Sequence, residues 1–305
     1  MSSAVPVEGL VAPIHGEDGV WQHVDHELPA TPVYFAWTGW INRLAALVML
    51  IPALPAIAIL VALTKLGSRG PGIYRQNRVG FRGQTFTLYK IRTMRQDAEA
   101  GTGPVWSSGK GDPRVTRLGS IMRTLHLDEL PQLINVIRGE MNLIGPRPER
   151  PEFTQYLARA IPGYLNRLAI KPGITGLAQI QLPPDTDIES VRLKLATDLQ
   201  YLDSAGWWMD IRILACTALR MFGIKGERVV RAFGFQFGPA GIDMQHRKVL
   251  AKKAAANGHK NAPLASRVLA AHVNELSNGE TNGTAVTPSP TVSSHPRRPV
   301  HASDA

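Results

Sequence analysis

The sequence predicts an α+β protein: a proline-broken membrane helix, then a mainly helical domain with a short β-hairpin and interfacial amphipathic helices. Three observations predict it. Residues 44–63, LAALVMLIPALPAIAILVAL, are twenty positions without a charge, and Pro52 and Pro55 fall at their middle. Two short β-prone runs, 72–75 and 85–91, flank a turn-rich centre containing Gly80 and Gly83. Beyond them, apolar residues recur at helical spacing in several separate stretches.

Length and charge narrow the classes. The 305 residues are ample for one good-sized core with appendages. A formal charge of +10 favours anionic partners: nucleic acid, acidic lipid or a phosphorylated substrate. The single cysteine, Cys216, excludes an internal disulfide and any multi-cysteine zinc or iron–sulfur site. Residues 1–36 hold no Lys or Arg but five acids, Glu8, Glu17, Asp18, Asp25 and Glu27. A signal peptide needs a basic start and an apolar middle, so this is read as a loosely ordered acidic leader.

Residues 37–66 form the membrane segment. Its uncharged run is long enough to cross a bilayer once, and Tyr34, Phe35, Trp37 and Trp40 precede it as an interfacial belt would. Pro52 and Pro55 each remove a helical hydrogen bond. Two shapes follow, a kinked spanning helix or a helix–break–helix that enters and leaves by one face. Arg43, Lys65, Arg69, Arg75 and Arg78 suit entry and exit on the cytoplasmic side, whereas the acidic leader suits an outside N-terminus. A hairpin buried in a soluble core is a third shape, disfavoured by so long an uncharged run.

Residues 67–225 make the globular domain. The hairpin carries Arg75, Arg78, Arg82, Lys90 and Arg92, which beside a membrane segment suit anionic headgroups at about 1 kcal/mol each. Asp97 and Glu99 open a polar, Gly-rich loop reaching Asp112. Residues 115–125 are apolar along one helical face, with Arg114, Arg117 and Arg123 opposite, as in a helix lying at the interface. Residues 151–169 and 190–202 read as helices, and 207–222 as a further interfacial helix. Between them KPGITGLAQ sets Gly173 and Gly176 around Thr175, a loop whose backbone can approach a ligand closely. Residues 226–277 form a basic extension, and the Thr, Ser, Pro and Gly of residues 278–305 cannot bury enough apolar surface to fold.

The chemistry concentrates in residues 124–150, TLHLDELPQLINVIRGEMNLIGPRPER. Asp128 and Glu129 sit just ahead of Pro131 and an apolar run, at or beside the N-terminus of a helix ending near Gly139. Arg147 is held between Pro146 and Pro148, where neither helix nor central strand can continue. Alone, an acidic pair caps a helix and Pro-Arg-Pro makes a turn. Together, behind a membrane segment, they suit an anionic substrate carried on a metal.

In order along the chain, these pieces resemble the bacterial sugar transferases, the monotopic polyprenyl-phosphate phosphoglycosyl transferases, in their small form. The resemblance covers roughly residues 38–223. It rests on the proline-broken helix, RQNRVGFRGQTFTLYKIRTM, LDELPQLINV, GEMNLIGPRPE, KPGITGLAQ, and the region of Asp198, Tyr201 and Asp210. It implies a re-entrant membrane helix on the cytoplasmic face of the bacterial inner membrane, broken at Pro52 and Pro55. It also implies transfer of a sugar 1-phosphate from a UDP-sugar to undecaprenyl phosphate, with release of UMP, ahead of downstream glycosyltransferases. The family's catalytic pair falls on Asp128 and Glu129, which would also meet the required Mg²⁺. Its Pro-Arg-Pro motif falls on Pro146, Arg147 and Pro148. Arg78, Lys90, Arg92, Thr175 and Gln179 complete the candidate substrate-binding set.

That chemistry suits these residue types. A carboxylate can attack a phosphoryl centre and form an acyl phosphate, dividing one hard step into two. Attack of an anion on an anion needs positive charge nearby, expected from Mg²⁺, Arg147 and the helix N-terminus, whose dipole would also keep Asp128 ionised. The chain departs from the family pattern at Leu54, where Ser is expected, and at His126, where Ser or Thr is common. After Gln179 it continues Ile180-Gln181-Leu182-Pro183-Pro184 in place of the usual small residue, Gly and Arg. The rival class, a non-catalytic membrane-surface scaffold, would have been favoured by loss of either acid of the pair. Nucleic acid is not an expected partner, because the basic residues adjoin a membrane segment and no recognition motif accompanies them.

Overall fold

A computed structural model describes residues 28–98, 112–185 and 187–238. The leader up to residue 27, the polar loop at 99–111, the extension beyond 238 and the tail lie outside the described residues.

The chain begins as one helix, α1 (Val33–Gly67), 35 residues and about 50 Å long. Pro52 and Pro55 lie inside it. Each leaves a carbonyl four residues earlier, at Val48 and Ile51, without its usual donor. The break is therefore a weakened stretch within one helix and not an interruption between two. One narrow stripe of α1 (Phe35, Thr38, Ala46, Ala53, Thr64) is buried. The other faces are bare, with Trp40 72 %, Ile51 66 % and Leu66 85 % exposed. Large apolar side chains left in water forgo about 2 kcal/mol each. The helix is long and apolar enough to cross a membrane.

Both ends of α1 are bonded to the same domain. Near its start the Thr31 hydroxyl donates to the Ala169 carbonyl, the Tyr34 hydroxyl donates to Asp210, and Asn42 Oδ1 accepts from the Leu143 amide. At its end Arg92 donates to the carbonyls of Ser68 and Arg69 and to the Ser68 hydroxyl.

The expected hairpin forms, with its first strand running four residues past the predicted 72–75: β1 (Ile73–Val79) pairs antiparallel with β2 (Thr85–Ile91), from Ile73↔Ile91 to Val79↔Thr85. Two helices follow, α2 (Arg117–Thr124), capped by the Thr116 hydroxyl, and α3 (Gln132–Arg138), ended by Gly139 at φ 79°. Buried Asn135 ties α3 to β2, accepting from the Tyr89 amide and donating to the Thr87 carbonyl. Then β3 (Asn142–Ile144) pairs in parallel with β4 (Gly173–Thr175). A Cβ on Gly173 would collide with the Gly145 backbone. The close approach that this glycine permits in the structure is to the Gly145 backbone.

The helix expected over 151–169 is two elements, α4 (Pro151–Ala160) and a 3-10 stretch Tyr164–Ala169. Pro162 has no N–H to continue the ladder, and Gly163 turns the chain at φ 75°. Next come α5 (Leu177–Gln181), α6 (Ile188–Ser204), capped reciprocally by Asp187 and Ser190, and α7 (Trp207–Met221). In α7, Ile213 and Cys216 are buried while Trp207 and Trp208 face outward, an amphipathic pattern. The domain does not stop at 225. α8 (Gly226–Ala232) follows, and Val229, Val230 and Phe235 join the main core with Leu133, Val136, Ile144 and Leu177. A second apolar cluster, around Phe153, Leu157, Tyr164 and Leu199, packs α4 and the 3-10 stretch on α6.

Candidate active site

The acidic pair is placed by a sharp reversal. After α2 the chain passes through His126 in the left-handed region at φ 55°, unusual for a residue with a side chain. Then comes a single 3-10 turn, Leu127–Glu129, which runs through Leu130 and Pro131 into α3. Asp128 and Glu129 are 7 % and 8 % exposed. Burying two adjacent carboxylates is costly unless positive charge meets them.

It meets them unequally. Glu129 Oε1 accepts from Arg147 Nη2 at 2.7 Å and from Lys90 Nζ, on β2, at 3.1 Å. Burial opposes the Glu129 charge, but Arg147 and Lys90 overcome it and hold the carboxyl well below the usual carboxylate range. The Asp128 side chain has no hydrogen bond or ion pair among the described residues. Burial pushes its pKa up, and the more distant charges of Lys90, Arg147 and Arg123 only partly offset it. Asp128 sits in the short 3-10 turn ahead of α3 and not in the first turn of that helix, where its dipole was expected to keep the carboxylate ionised.

The Pro-Arg-Pro segment is fixed from three sides. Arg78 on β1 donates to the Pro148 carbonyl at 3.0 Å and lies 3.6 Å from Glu149. The Val79 amide donates to the Glu149 carbonyl, and the Gly173 amide to that of Pro146. Arg167 Nη2 donates to the Arg147 carbonyl at 2.9 Å and to Asp198 at 2.7 Å, while its Nη1 donates to the Tyr164 hydroxyl. Arg167 and Asp198 are 5 % and 3 % exposed. The guanidinium that grips Glu129 is therefore aimed by a second, buried guanidinium acting on its backbone.

Seven of the candidate residues are brought together: Asp128, Glu129, Pro146, Arg147, Pro148, Arg78 and Lys90. Three are not. Arg92 is spent on the carbonyls at the end of α1. Thr175 shares a hydrogen bond with the Thr217 hydroxyl of α7. Gln179 donates to the Ile174 carbonyl, and its own carbonyl accepts from Arg220. Those two residues shape the turn between β4 and α5. Arg167 was missed as a site residue, since a lone arginine in NRLAI carries no local signal.

Among the described residues no three His, Cys, Asp or Glu side chains converge on one point. A cation held wholly by protein ligands is therefore not built here. Asp128 and Glu129 nevertheless fit Mg²⁺, which binds through one or two carboxylates and completes its shell with water and substrate phosphate oxygens. Asp128 has both oxygens available for it, and Glu129 retains Oε2.

Comparison with known proteins agrees with the motifs. The family model described as Bacterial sugar transferase matches residues 34–223. A UDP-glucose:undecaprenyl-phosphate glucose-1-phosphate transferase of Caulobacter vibrioides is 43 % identical over 165 residues, 52 % of this chain and 60 % of that protein. A protein of Escherichia coli with the same description is 36 % identical over 205 residues, 64 % of this chain and 44 % of that protein. An exopolysaccharide production protein of Rhizobium leguminosarum is 38 % identical over 178 residues, 57 % of this chain and 85 % of that protein. The chain thus spans about half the length of the first two and most of the third.

Proposed function

Since the chain belongs to the bacterial sugar transferase family, we propose that it moves a sugar 1-phosphate from a UDP-sugar to undecaprenyl phosphate. UMP is released, and the lipid-linked diphosphosugar starts the assembly of exopolysaccharide, O-antigen, capsule or another glycan. One observation carries the reading: two adjacent buried carboxylates, one neutralised by Arg147 and Lys90 and the other without a partner. A structural acid is paired. A nucleophile must be available.

In the proposed reaction an Asp128 oxygen bonds to the sugar-bearing phosphorus, and the bond from that phosphorus to the UMP oxygen breaks. UMP departs with that electron pair. A phosphate oxygen of undecaprenyl phosphate then attacks the same phosphorus and frees the Asp128 carboxylate. Splitting the transfer in this way is covalent catalysis. When bound, Mg²⁺ would be held by Asp128 and Glu129 and would supply positive charge against the negative charge developing on the phosphoryl oxygens. Glu129 would hold it while anchoring Arg147, and Arg147 and Lys90 bring charge to the diphosphate.

α1 supports a location at a membrane. Both of its ends are hydrogen-bonded to one domain, which favours entry and exit on the same side over a crossing that parts the ends. The proposed site is the cytoplasmic face of the inner membrane, where soluble UDP-sugars, the acceptor lipid and downstream glycosyltransferases can meet. The test is UMP release by the purified chain with Mg²⁺, undecaprenyl phosphate and a panel of UDP-sugars. Release from one or two sugars is expected. No release from any, by a folded chain, overturns the reading in favour of a scaffold.

A further inference from the structure

Of the five basic residues on the hairpin, Arg78, Lys90 and Arg92 are turned to Pro148, Glu129 and the end of α1. Arg75 is not, and it joins a different group. Its guanidinium lies 5.9 Å from the centre of the Tyr89 ring, and Arg138, at the end of α3, lies 5.3 Å from the same ring and donates to its hydroxyl. The next residue, Gly139, has the Arg43 guanidinium of α1 packed where a side chain would stand. The backbone brings Lys171 toward Arg43: the carbonyl of the following residue, Pro172, accepts from the Asn142 amide, and the next amide, Leu143, donates to Asn42, the residue before Arg43. Burial and then the Arg43 charge push the Lys171 ammonium down. None of these four cations forms an ion pair among the described residues. The acid next in sequence, Glu140, is engaged by Asn135 Nδ2 at 2.6 Å.

We propose that Arg43, Arg75, Arg138 and Lys171 form a docking surface for the headgroups of anionic phospholipids, separate from the candidate active site. The acidic pair lies before the start of α3 and this group gathers at its end, seven residues or about 10 Å further along. Arg43 is the last charge before the uncharged run 44–63. It stacks 4.9 Å over the ring of Trp40, which is 72 % exposed. A tryptophan and an arginine at the edge of an apolar helix mark headgroup depth. With that run in hydrocarbon, the other three cations meet the layer of phosphates along the same side. The surface rests on the membrane placement of α1 proposed above, not on the transfer chemistry.

Each such cation is worth roughly fivefold in preference for an anionic surface, and two of them about 25-fold. The full chain is inserted into nanodiscs of mixed phosphatidylcholine and phosphatidylglycerol, and the lipids retained on gentle release are counted by native mass spectrometry. Wild type should retain phosphatidylglycerol preferentially. Arg43→Gln/Lys171→Gln and Arg75→Gln/Arg138→Gln should each lower the ratio at least tenfold, with melting temperature and UMP release in detergent kept. Arg159→Gln, an exposed arginine on α4, should leave it unchanged, and Arg43→Lys/Arg138→Lys should preserve most of it. An unchanged ratio in both glutamine pairs overturns the proposal. So does a wild-type preference abolished by millimolar inorganic phosphate at constant ionic strength, or a loss confined to undecaprenyl phosphate binding. A chain that never enters nanodiscs overturns the placement of α1 and this surface with it. Entry without preference overturns the surface alone.

Discussion

Arg167 donates to the backbone carbonyl of Arg147, and through that bond a charge 5 % exposed in the core aims the guanidinium that holds Glu129. Arg167 is itself held by Asp198 from α6, 31 positions away in sequence. The candidate site thus depends on a buried ion pair behind the Pro-Arg-Pro segment. Removing one partner of a buried pair strands the other charge and costs about 3–5 kcal/mol.

Asp198→Ala should therefore lower stability by roughly 3 kcal/mol, seen as a lower urea midpoint in detergent. Asp198→Asn keeps an acceptor for Arg167 and should lose less. Both should lower kcat more than KM, because Arg147 stays present but is worse aimed. A midpoint unmoved by Asp198→Ala would show that the pair adds nothing to the fold.

Alkaline stability should depend on two buried phenols. Burial raises the pKa of Tyr164, against the opposing charge of Arg167; burial and then the Asp210 carboxylate raise that of Tyr201. In the unfolded chain both titrate near the ordinary value of about 10. Above that pH the unfolded state has lost protons that the folded state keeps, so stability falls as pH rises. It should be fully present below about pH 10 and decline by about 1.4 kcal/mol per pH unit per tyrosine above it. Urea midpoints between pH 9 and 11.5 should show a shallower decline in Tyr201→Phe and Tyr164→Phe. Identical slopes in wild type and both variants would refute the assignment.

Topology can be read from one cysteine. In a Cys216→Ala background, a cysteine at position 3 should react with an impermeant maleimide only after the inner membrane is opened. Labelling with the outer membrane alone permeabilised would place the N-terminus outside. Replacing Pro52 and Pro55 by Leu restores two backbone donors to α1 and should shift part of the population toward that outcome.

What the sequence made legible, and what it did not, divides along physical lines. The hairpin was readable because β-prone runs and the turn residues Gly80 and Gly83 are local signals. So was the grouping of Asp128, Glu129 and Arg147 into one candidate site, because an acidic pair ahead of an apolar run and a proline-bound arginine are local signals, although that Glu129 alone meets Arg147 was not. Arg92 was misread, since a basic residue beside a membrane segment looks the same whether it faces phosphate or backbone carbonyl. Only the position of the end of α1 decides it. Arg167 and Asp198 meet through packing that no spacing encodes. The helix α8 escaped because it is seven residues long and contributes only Val229 and Val230 to the core, too few to show a period.

The division of labour between Asp128 and Glu129 yields the sharpest prediction. Glu129 is charged and gripped, so its removal should disturb Arg147 and Lys90 as well as the metal, whereas Asp128 has no partner to release. Asp128→Asn keeps the size, loses the attacking charge and should abolish turnover by at least a thousandfold, an order expected when a nucleophile is lost. It should leave the melting temperature within about a degree, or raise it slightly, because burial already disfavours the Asp128 charge. Glu129→Gln should be severely impaired and also less stable, since two half-buried cations lose the buried anion that both grip. Supplied with UDP-sugar and Mg²⁺ but no acceptor lipid, wild type should release about one UMP per chain in a burst and gain one sugar phosphate. Mass spectrometry of the digested protein should place that mass on the peptide holding Leu127, Asp128 and Glu129. UMP that appears only when undecaprenyl phosphate is present, with no adduct ever trapped, would establish direct transfer. Asp128 would then serve as a base or a metal ligand, and its lack of a partner would reflect metal binding alone.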